Sequence, residues 1–372
     1  MARIKRVLFV LDMFGFFGGP ERRAYRIAKG LKRLGYEIVI ISIMKAEDGV
    51  IKRAKEDGIE SYQLTSEGNK ALKSFRVDVF LKLRKLINHI APDVVFTFEF
   101  LADYTTKMAL TGKSTPVYTF IGSTVWKWEK KWHRRVVMEH FTKKSRLYVV
   151  NSNTVRDSVL RVLPMVKDKI AVVYNPIDTD YFKPLSEKER YRTKKEYNLK
   201  EDDFVVGSVV RFYNPKGADV LVEAFYKGNI EGRLVLVGDG PFKGKLEQMV
   251  RDFGIEGRVV FLGAIEATPE IYNMFDVCVV PSQKGGFDNV VVEAMACGIP
   301  TVATKATGIG EVAENGRDLI ITEIDAESVS EGMRRIMPVG DTIGINGRKF
   351  VVDRLDVMKI SKRIEGLINA TC

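Results

Sequence analysis

The chain reads as an α/β protein built from two doubly wound domains, and three observations lead there. Apolar runs of strand length alternate with segments of helical period along most of the sequence. A charged, turn-rich passage interrupts this alternation once, after which it restarts. The 372 residues, 45% hydrophobic and punctuated by 31 Gly and 12 Pro, are enough for two separate cores.

The first half opens with a strand at Val7 to Leu11, a helix at Glu21 to Leu34 and another strand at Glu37 to Ile43. Further strands are expected at Val94 to Phe98, Val117 to Phe120 and Tyr148 to Val150. Strand followed by crossover helix is the rhythm of a parallel sheet. Asn175-Pro176-Ile177-Asp178-Thr179-Asp180 is rich in turn formers and suits a linker, and Ser186 to Asp203 is strongly charged. This sets a first domain at 1–177 and a second at 178–349. In the second, strands are expected at Phe204 to Val210, Leu234 to Val237, Val259 to Leu262, Val277 to Val280 and Thr301 to Ala303. The closing segment, 350–372, carries a helical pattern with Val351, Leu355, Met358, Ile360 and Ile364 apolar.

The net charge of +11 is unevenly held. Residues 1–175 carry 33 Lys and Arg against 17 Asp and Glu, a balance of +16, and the remainder is at −5. A basic first half favours an anionic surface or acceptor, with an attraction that salt weakens. No nucleic-acid motif accompanies the charge, so a nucleic-acid partner is not expected. The apolar runs are too short to cross a bilayer, and Asp12 interrupts the first before a signal-peptide core develops, which suggests a cytoplasmic protein, peripheral to a membrane at most. Cys278, Cys297 and Cys372 are widely spaced and read as small hydrophobes rather than a disulfide or zinc framework. His89, His133 and His140 have no metal-ligand spacing; no metal and no cofactor are expected.

The motifs lie mostly in the second half. Arg211 follows a strand, with Lys216-Gly217 five residues on and a helix beyond. Two cations at the C-terminal edge of a doubly wound sheet face the crevice where such sheets bind ligands, and together suit a diphosphate. Gly238-Asp239-Gly240-Pro241 closes the next buried strand. Val277 to Val280 stops at Pro281; a glycine loop with Gly285-Gly286-Phe287-Asp288 follows; and Val290 to Cys297 reads as a helix whose glycine stop at Gly298 precedes Pro300. Strand, glycine loop and helix N-terminus make a phosphate cradle.

In order and spacing these pieces, with Glu293-Ala294-Met295-Ala296-Cys297-Gly298-Ile299-Pro300 and Thr307-Gly308-Ile309-Gly310-Glu311, resemble the retaining glycosyltransferases of family 4 (glycosyl transferases group 1), which have the GT-B fold of two Rossmann-like domains about a cleft. The resemblance extends to Gly18-Gly19-Pro20-Glu21 and Asn151-Ser152 in the first half. It implies transfer of a sugar from a nucleotide-sugar, bound by the second domain, to a glycan or lipid-linked acceptor on the first. Arg211 and Lys216 would bind the diphosphate and stabilise its charge in place of a metal. Glu293 would accept from the ribose hydroxyls. Backbone about Asn289 and Val290 would meet the phosphates; Gly238 and Ile265 would edge the nucleotide; and Gly18, Gly19, Gly286 and Phe287 would complete the donor site. The terminal helix would cross back onto the first domain.

Two positions depart from the family pattern. Gly285 stands where a glutamate usually contacts the donor sugar, and Ile121 stands where the family commonly has histidine in Thr-x-His-Gly-Ser. Each loss removes a contact of about 1 to 3 kcal/mol where a buried hydroxyl is left unpaired. Asp288 and Lys284 are polar groups close enough in sequence to replace the glutamate, with Asp288 the one expected on the donor sugar, and Glu99, Asp103, Gly122, Ser123 and Trp126 are candidates on the acceptor side. Trp126, Trp128 and Trp132 sit among Lys127, Lys130, Lys131, Arg134 and Arg135, a mixture suited to a membrane interface or to stacking. Asp178-Thr179-Asp180 mimics a metal-binding DxD but lies in the linker. Catalytic degeneration to a sugar-nucleotide binder is the alternative that Gly285 and Ile121 raise.

Overall fold

The computed structural model describes residues 5–15, 18–66, 76–124 and 139–371. The chain divides into two compact units, one of Met1–Pro176 with Val357–Cys372 and one of Ile177–Asp356.

The first unit is built on a seven-stranded parallel sheet: β1 (Arg6–Leu11), β2 (Glu37–Ser42), β3 (Glu60–Gln63), β4 (Val94–Phe98), β5 (Val117–Ile121), β6 (Ser145–Val150) and β7 (Ile170–Val172), in the order β3-β2-β1-β4-β5-β6-β7. β1 and β4 are paired neighbours from which the winding departs in opposite directions, so a crevice opens at their C-terminal ends. Central strands are buried on both faces, which is why they read as nearly continuous apolar runs, broken only by the buried Thr97 in β4 and Thr119 in β5. Inside, Phe98 stacks on Phe120 at 4.6 Å and Phe9 meets Phe96 edge-on at 5.1 Å. The helix Gly19–Arg33 starts with Pro20 and Glu21 in its first turn and closes with Lys32 and Arg33, all suited to its dipole.

The terminal helix, Val357–Thr371, buries Ile360, Ile364 and Ile368 in this first core. Tyr36 donates to Glu365 Oε1 at 2.8 Å, and Gly30 lets the helix approach, since a Cβ there would lie 2.0 Å from Ser361 Oγ. The segment expected as one helix from residue 350 is in fact two. Gly340–Arg354 belongs to the second unit and ends at Leu355, whose carbonyl accepts from Ile177 N at 3.0 Å. The boundaries therefore fall at 176/177 and 356/357, not at 177/178 and 349/350.

The second unit holds a six-stranded parallel sheet of β8 (Val205–Val209), β9 (Arg233–Val237), β10 (Val259–Gly263), β11 (Val277–Val280), β12 (Thr301–Thr304) and β13 (Ile320–Thr322), ordered β10-β9-β8-β11-β12-β13. Its reversal of winding lies between β8 and β11. Cys278 and Cys297 are buried, as expected of small hydrophobes. The DxD-like segment is structural: Thr179 donates to Asp356 Oδ2 at 2.6 Å, and Asp178 Oδ1 accepts from Tyr181 N.

Candidate functional site

In the second unit the residues singled out by sequence, Glu293 excepted, gather at the C-terminal edge of the sheet, about the β8–β11 switch point. Arg211 is exposed in the loop after β8. Two glycines draw the loops together. Gly217, at φ +76°, caps the helix Ala218–Lys227, and a Cβ there would stand 2.0 Å from Pro281 O. Gly238, at φ +151°, lets the end of β9 pass so close to Val210 O that a Cβ would meet it at 1.9 Å. Gly238 N also donates to Gly263 O at 2.8 Å, and Gln283 N to Pro215 O at 2.9 Å, so the loops after β8, β9, β10 and β11 are tied by backbone bonds. Ile265, half-buried, edges this group through a bond from its N to Gly263 O.

The helix Asn289–Ala296 begins at the same edge, with Asn289 and Phe287 buried and Val290 and Gly286 half-buried. Lys216 Nζ lies 3.1 Å from Asp288 Oδ1, and Ser282 Oγ donates to Asp288 Oδ2 at 2.6 Å. By sequence the Asp288 carboxylate is expected on a donor sugar; the structure commits it to Lys216 and Ser282. Gly285 has no positive φ, and a Cβ there would have Ala306 O at 3.4 Å and Asp288 Oδ2 at 3.7 Å as its nearest neighbours. Nothing in the backbone demands glycine at that position.

Glu293 is not at the open edge. It is 0% exposed, and the buried Tyr272 hydroxyl donates to its Oε2 at 2.5 Å. Its charge also helps to push the thiols of Cys278 and Cys297 well above their ordinary range, after burial itself. The residue expected to accept ribose hydroxyls therefore holds a protein hydroxyl in this structure.

In the first unit a cavity of about 200 Å³ opens where β1, β4 and β5 end, and Asp12, Arg23, Glu99, Asp103, Gly122 and Ser123 are among its lining residues. Four of the acceptor-side candidates are thus brought together; the fifth, Trp126, lies outside the described residues, as do Trp128 and Trp132. Gly18 and Gly19 stand at the start of the helix Gly19–Arg33, whose Pro20 reaches the cavity wall. Asp103 lines the cavity, but its carboxylate is occupied. Thr97 and Thr119 donate to Oδ1 at 2.6 and 2.7 Å, and the buried Lys107 pairs with Oδ2 at 2.6 Å. That network fixes the cavity floor, so Asp103 supports the site rather than presenting an acceptor contact.

Glu99 has the opposite character. It is exposed at the start of the helix Phe100–Ala109 with φ +71° and ψ 175°, a region used almost only by glycine, and its side chain makes no cap bond. Asp12, at the end of β1, closes that helix instead: its Oδ1 accepts from Ala102 N at 2.6 Å, and Leu101 N contributes a further bond. Burial, with Glu21 and Asp103 nearby, pushes the Asp12 carboxyl up to about 7. Ile121, in place of the usual histidine, packs with Tyr148 and Val150 and offers only its carbonyl, to Arg23 at 3.3 Å. Arg23 is 2% exposed, lies over the Phe120 ring and has no partner at Nε among the described residues; burial lowers its guanidinium to about 9. Sequence patterns single out neither Asp12 nor Arg23 as a site residue.

A family model described as Glycosyltransferase Family 4 matches residues 17–181, and one described as Glycosyl transferases group 1 matches 203–338. Among curated proteins, the N-acetyl-alpha-D-glucosaminyl L-malate synthase of Bacillus anthracis is 32% identical over 203 residues, 53% of this chain and 52% of that protein. The D-inositol 3-phosphate glycosyltransferase of Mycobacteroides abscessus is 30% identical over 196 residues, 49% of this chain and 43% of that one. The chain spans about half the length of the curated relatives it matches. Among solved structures, Anabaena Alr3699/HepE in complex with UDP-glucose has a TM-score of 0.84 over 98% of this chain and 99% of that chain at 22% identity, which is a likeness of fold. With the two models matched in chain order, one to each unit, and the GT-B fold shared along nearly the whole length, the chain belongs to glycosyltransferase family 4, the glycosyl transferases group 1.

Proposed function

We propose that this protein transfers a sugar from a nucleotide diphosphate donor to a hydroxyl-bearing acceptor with retention of configuration, the second unit holding the donor and the first the acceptor. The observation that carries this reading is the gathering of Arg211, Lys216, two close-packed glycine turns and the N-terminus of helix Asn289–Ala296 at the switch point of the second sheet. Breaking the glycosidic bond leaves charge on the diphosphate, and two cations at that edge lower its energy without a metal. Glu293 would join ribose recognition by exchanging the Tyr272 hydroxyl for those of the ribose. No side chain described near the site offers itself as a nucleophile, so front-side attack, with the leaving diphosphate taking the acceptor proton, is the step we assign. The names of relatives span malate, inositol phosphate and UDP-glucose, and support the class of reaction rather than one sugar or acceptor. A lipid-linked acceptor at an anionic membrane suits the basic first unit.

A screen of UDP, GDP, ADP and dTDP sugars by thermal shift and turnover tests this. One donor class should stabilise the protein and be consumed, and Arg211→Ala or Lys216→Ala should cut turnover by about 100-fold. If no donor shifts the melting curve or is consumed, the reading fails. Tight binding without turnover would favour a degenerate binder, which the absent side chain at Gly285 and the apolar Ile121 recommend as the alternative reading. Gly285→Glu, for which the loop has room, would then be the variant to regain activity.

A further inference from the structure

Asp288 occupies the N-cap position of helix Asn289–Ala296, where an aspartate ordinarily accepts from the N–H groups of the first turn. Here it makes no such bond. Its carboxylate turns to Lys216, with Oδ1 and Oδ2 at 3.1 and 3.5 Å from Nζ, and the buried Ser282 hydroxyl holds Oδ2 at 2.6 Å. The backbone N–H of Asp288 is tied to Thr307 O at 3.1 Å, which fixes the residue in place. The Lys216 and Asp288 side chains are only 26% and 18% exposed, so salt screens this pair less than an open surface pair.

We infer that Asp288 is a built-in counter-anion for Lys216, and that a diphosphate binds this loop by displacing it. The inference rests on the reading of these loops as a diphosphate site and deepens it. An incoming diphosphate gains Lys216 only by breaking an existing ion pair, so net affinity is lower than the cation and helix N-terminus together would give. The displaced carboxylate stays anchored near the site by its backbone and recaptures Lys216 as the diphosphate departs. Asp288 thereby opposes retention of the nucleoside diphosphate product, whose release limits many transferring enzymes. The sign of its effect is opposite to that of a donor-sugar contact: removing the carboxylate strengthens diphosphate binding.

The test is calorimetric titration of the full chain with inorganic pyrophosphate, UDP and GDP at one ionic strength, for wild type, Asp288→Asn, Ser282→Ala, Lys216→Ala and the Lys216→Ala/Asp288→Asn pair. Asparagine caps a helix as well as aspartate does, so the first variant keeps the local fold. We expect Asp288→Asn to bind pyrophosphate about three- to tenfold more tightly, the range of a half-buried ion pair. Ser282→Ala should move the same way by less, and the double variant should show no gain over Lys216→Ala. Equal or weaker binding by Asp288→Asn, with wild type binding normally, overturns the inference and leaves the diphosphate reading standing. Failure of every variant to bind pyrophosphate, UDP or GDP removes both.

Discussion

Asp12 caps a helix that begins 88 residues after it, and that arrangement leaves the helix's own N-cap residue, Glu99, in a backbone region that ordinarily excludes it. The two acids therefore have separate tasks: one holds the cavity rim, the other stands exposed on it. Because burial raises the Asp12 carboxyl from 3.8 to about 7, the folded protein keeps a proton there that the unfolded chain has already released. Its contribution to stability is complete below about pH 4 and falls as pH rises through 7. Asp12→Asn keeps an acceptor for Ala102 N and does not titrate. The stability of wild type relative to Asp12→Asn should thus fall by more than about 1 kcal/mol between pH 5 and 8, measured by denaturant unfolding at each pH; one pKa unit corresponds to about 1.4 kcal/mol. A difference that stays constant with pH would show that the carboxyl is not held protonated. No local pattern marks Asp12 or Arg23 in the sequence. Asp12 acts through a helix distant in the chain, and Arg23 resembles any helix arginine until Phe120 and the Ile121 carbonyl close over it.

Among the elements, legibility in the sequence follows burial. Strands covered on both faces are apolar throughout, as Val277–Val280 is, or broken by a single residue, as Val94–Phe98 is by Thr97, and their runs predict them directly. Glu60–Gln63, Ile170–Val172 and Ile320–Thr322 are strands that the sequence does not announce, each three or four residues long and each at a sheet edge. An edge strand pairs on one side and needs no long apolar run, so it leaves little trace in composition. The glycine turns of the donor-side loops are legible because close backbone approach forbids a Cβ, while Gly285 is legible only as an omission. The terminal helix shows its amphipathic pattern, yet its start is hidden because that pattern runs through Leu355 without a Gly or Pro stop. Its docking can be checked at Ile364, which is 2% exposed in the first core. Ile364→Ala should destabilise the first unit by about 2 to 5 kcal/mol, seen as an earlier unfolding transition, while pyrophosphate binding by the second unit persists. A uniform shift of all unfolding together with loss of binding would contradict the assignment of this helix to the first unit.

Across the whole molecule, charge and chemistry are divided along the same line as the fold. The loops proposed to take the diphosphate lie in a second half that is mildly acidic overall, so anion capture there would depend on Arg211, Lys216 and backbone N–H groups rather than on a general positive field. The first half, at +16, has far more positive charge than a cavity lined by Asp12, Glu99 and Asp103 can use. A broad cationic field of this kind acts over a Debye length on an extended anionic partner and adds about 1 kcal/mol per Lys or Arg near a charged lipid surface. No helix among the described residues is long and apolar enough to cross a membrane, and the sequence sets Trp126, Trp128 and Trp132 among lysines and arginines, a mixture suited to a membrane interface. Vesicles containing phosphatidylglycerol should therefore sediment the protein at low salt and release it at high salt, neutral phosphatidylcholine vesicles should not retain it, and Trp132→Ala should weaken retention on the anionic ones. Equal binding to neutral and anionic vesicles would point to apolar insertion instead of the field. Absence of binding at any salt would assign the basic surface to a soluble anionic acceptor.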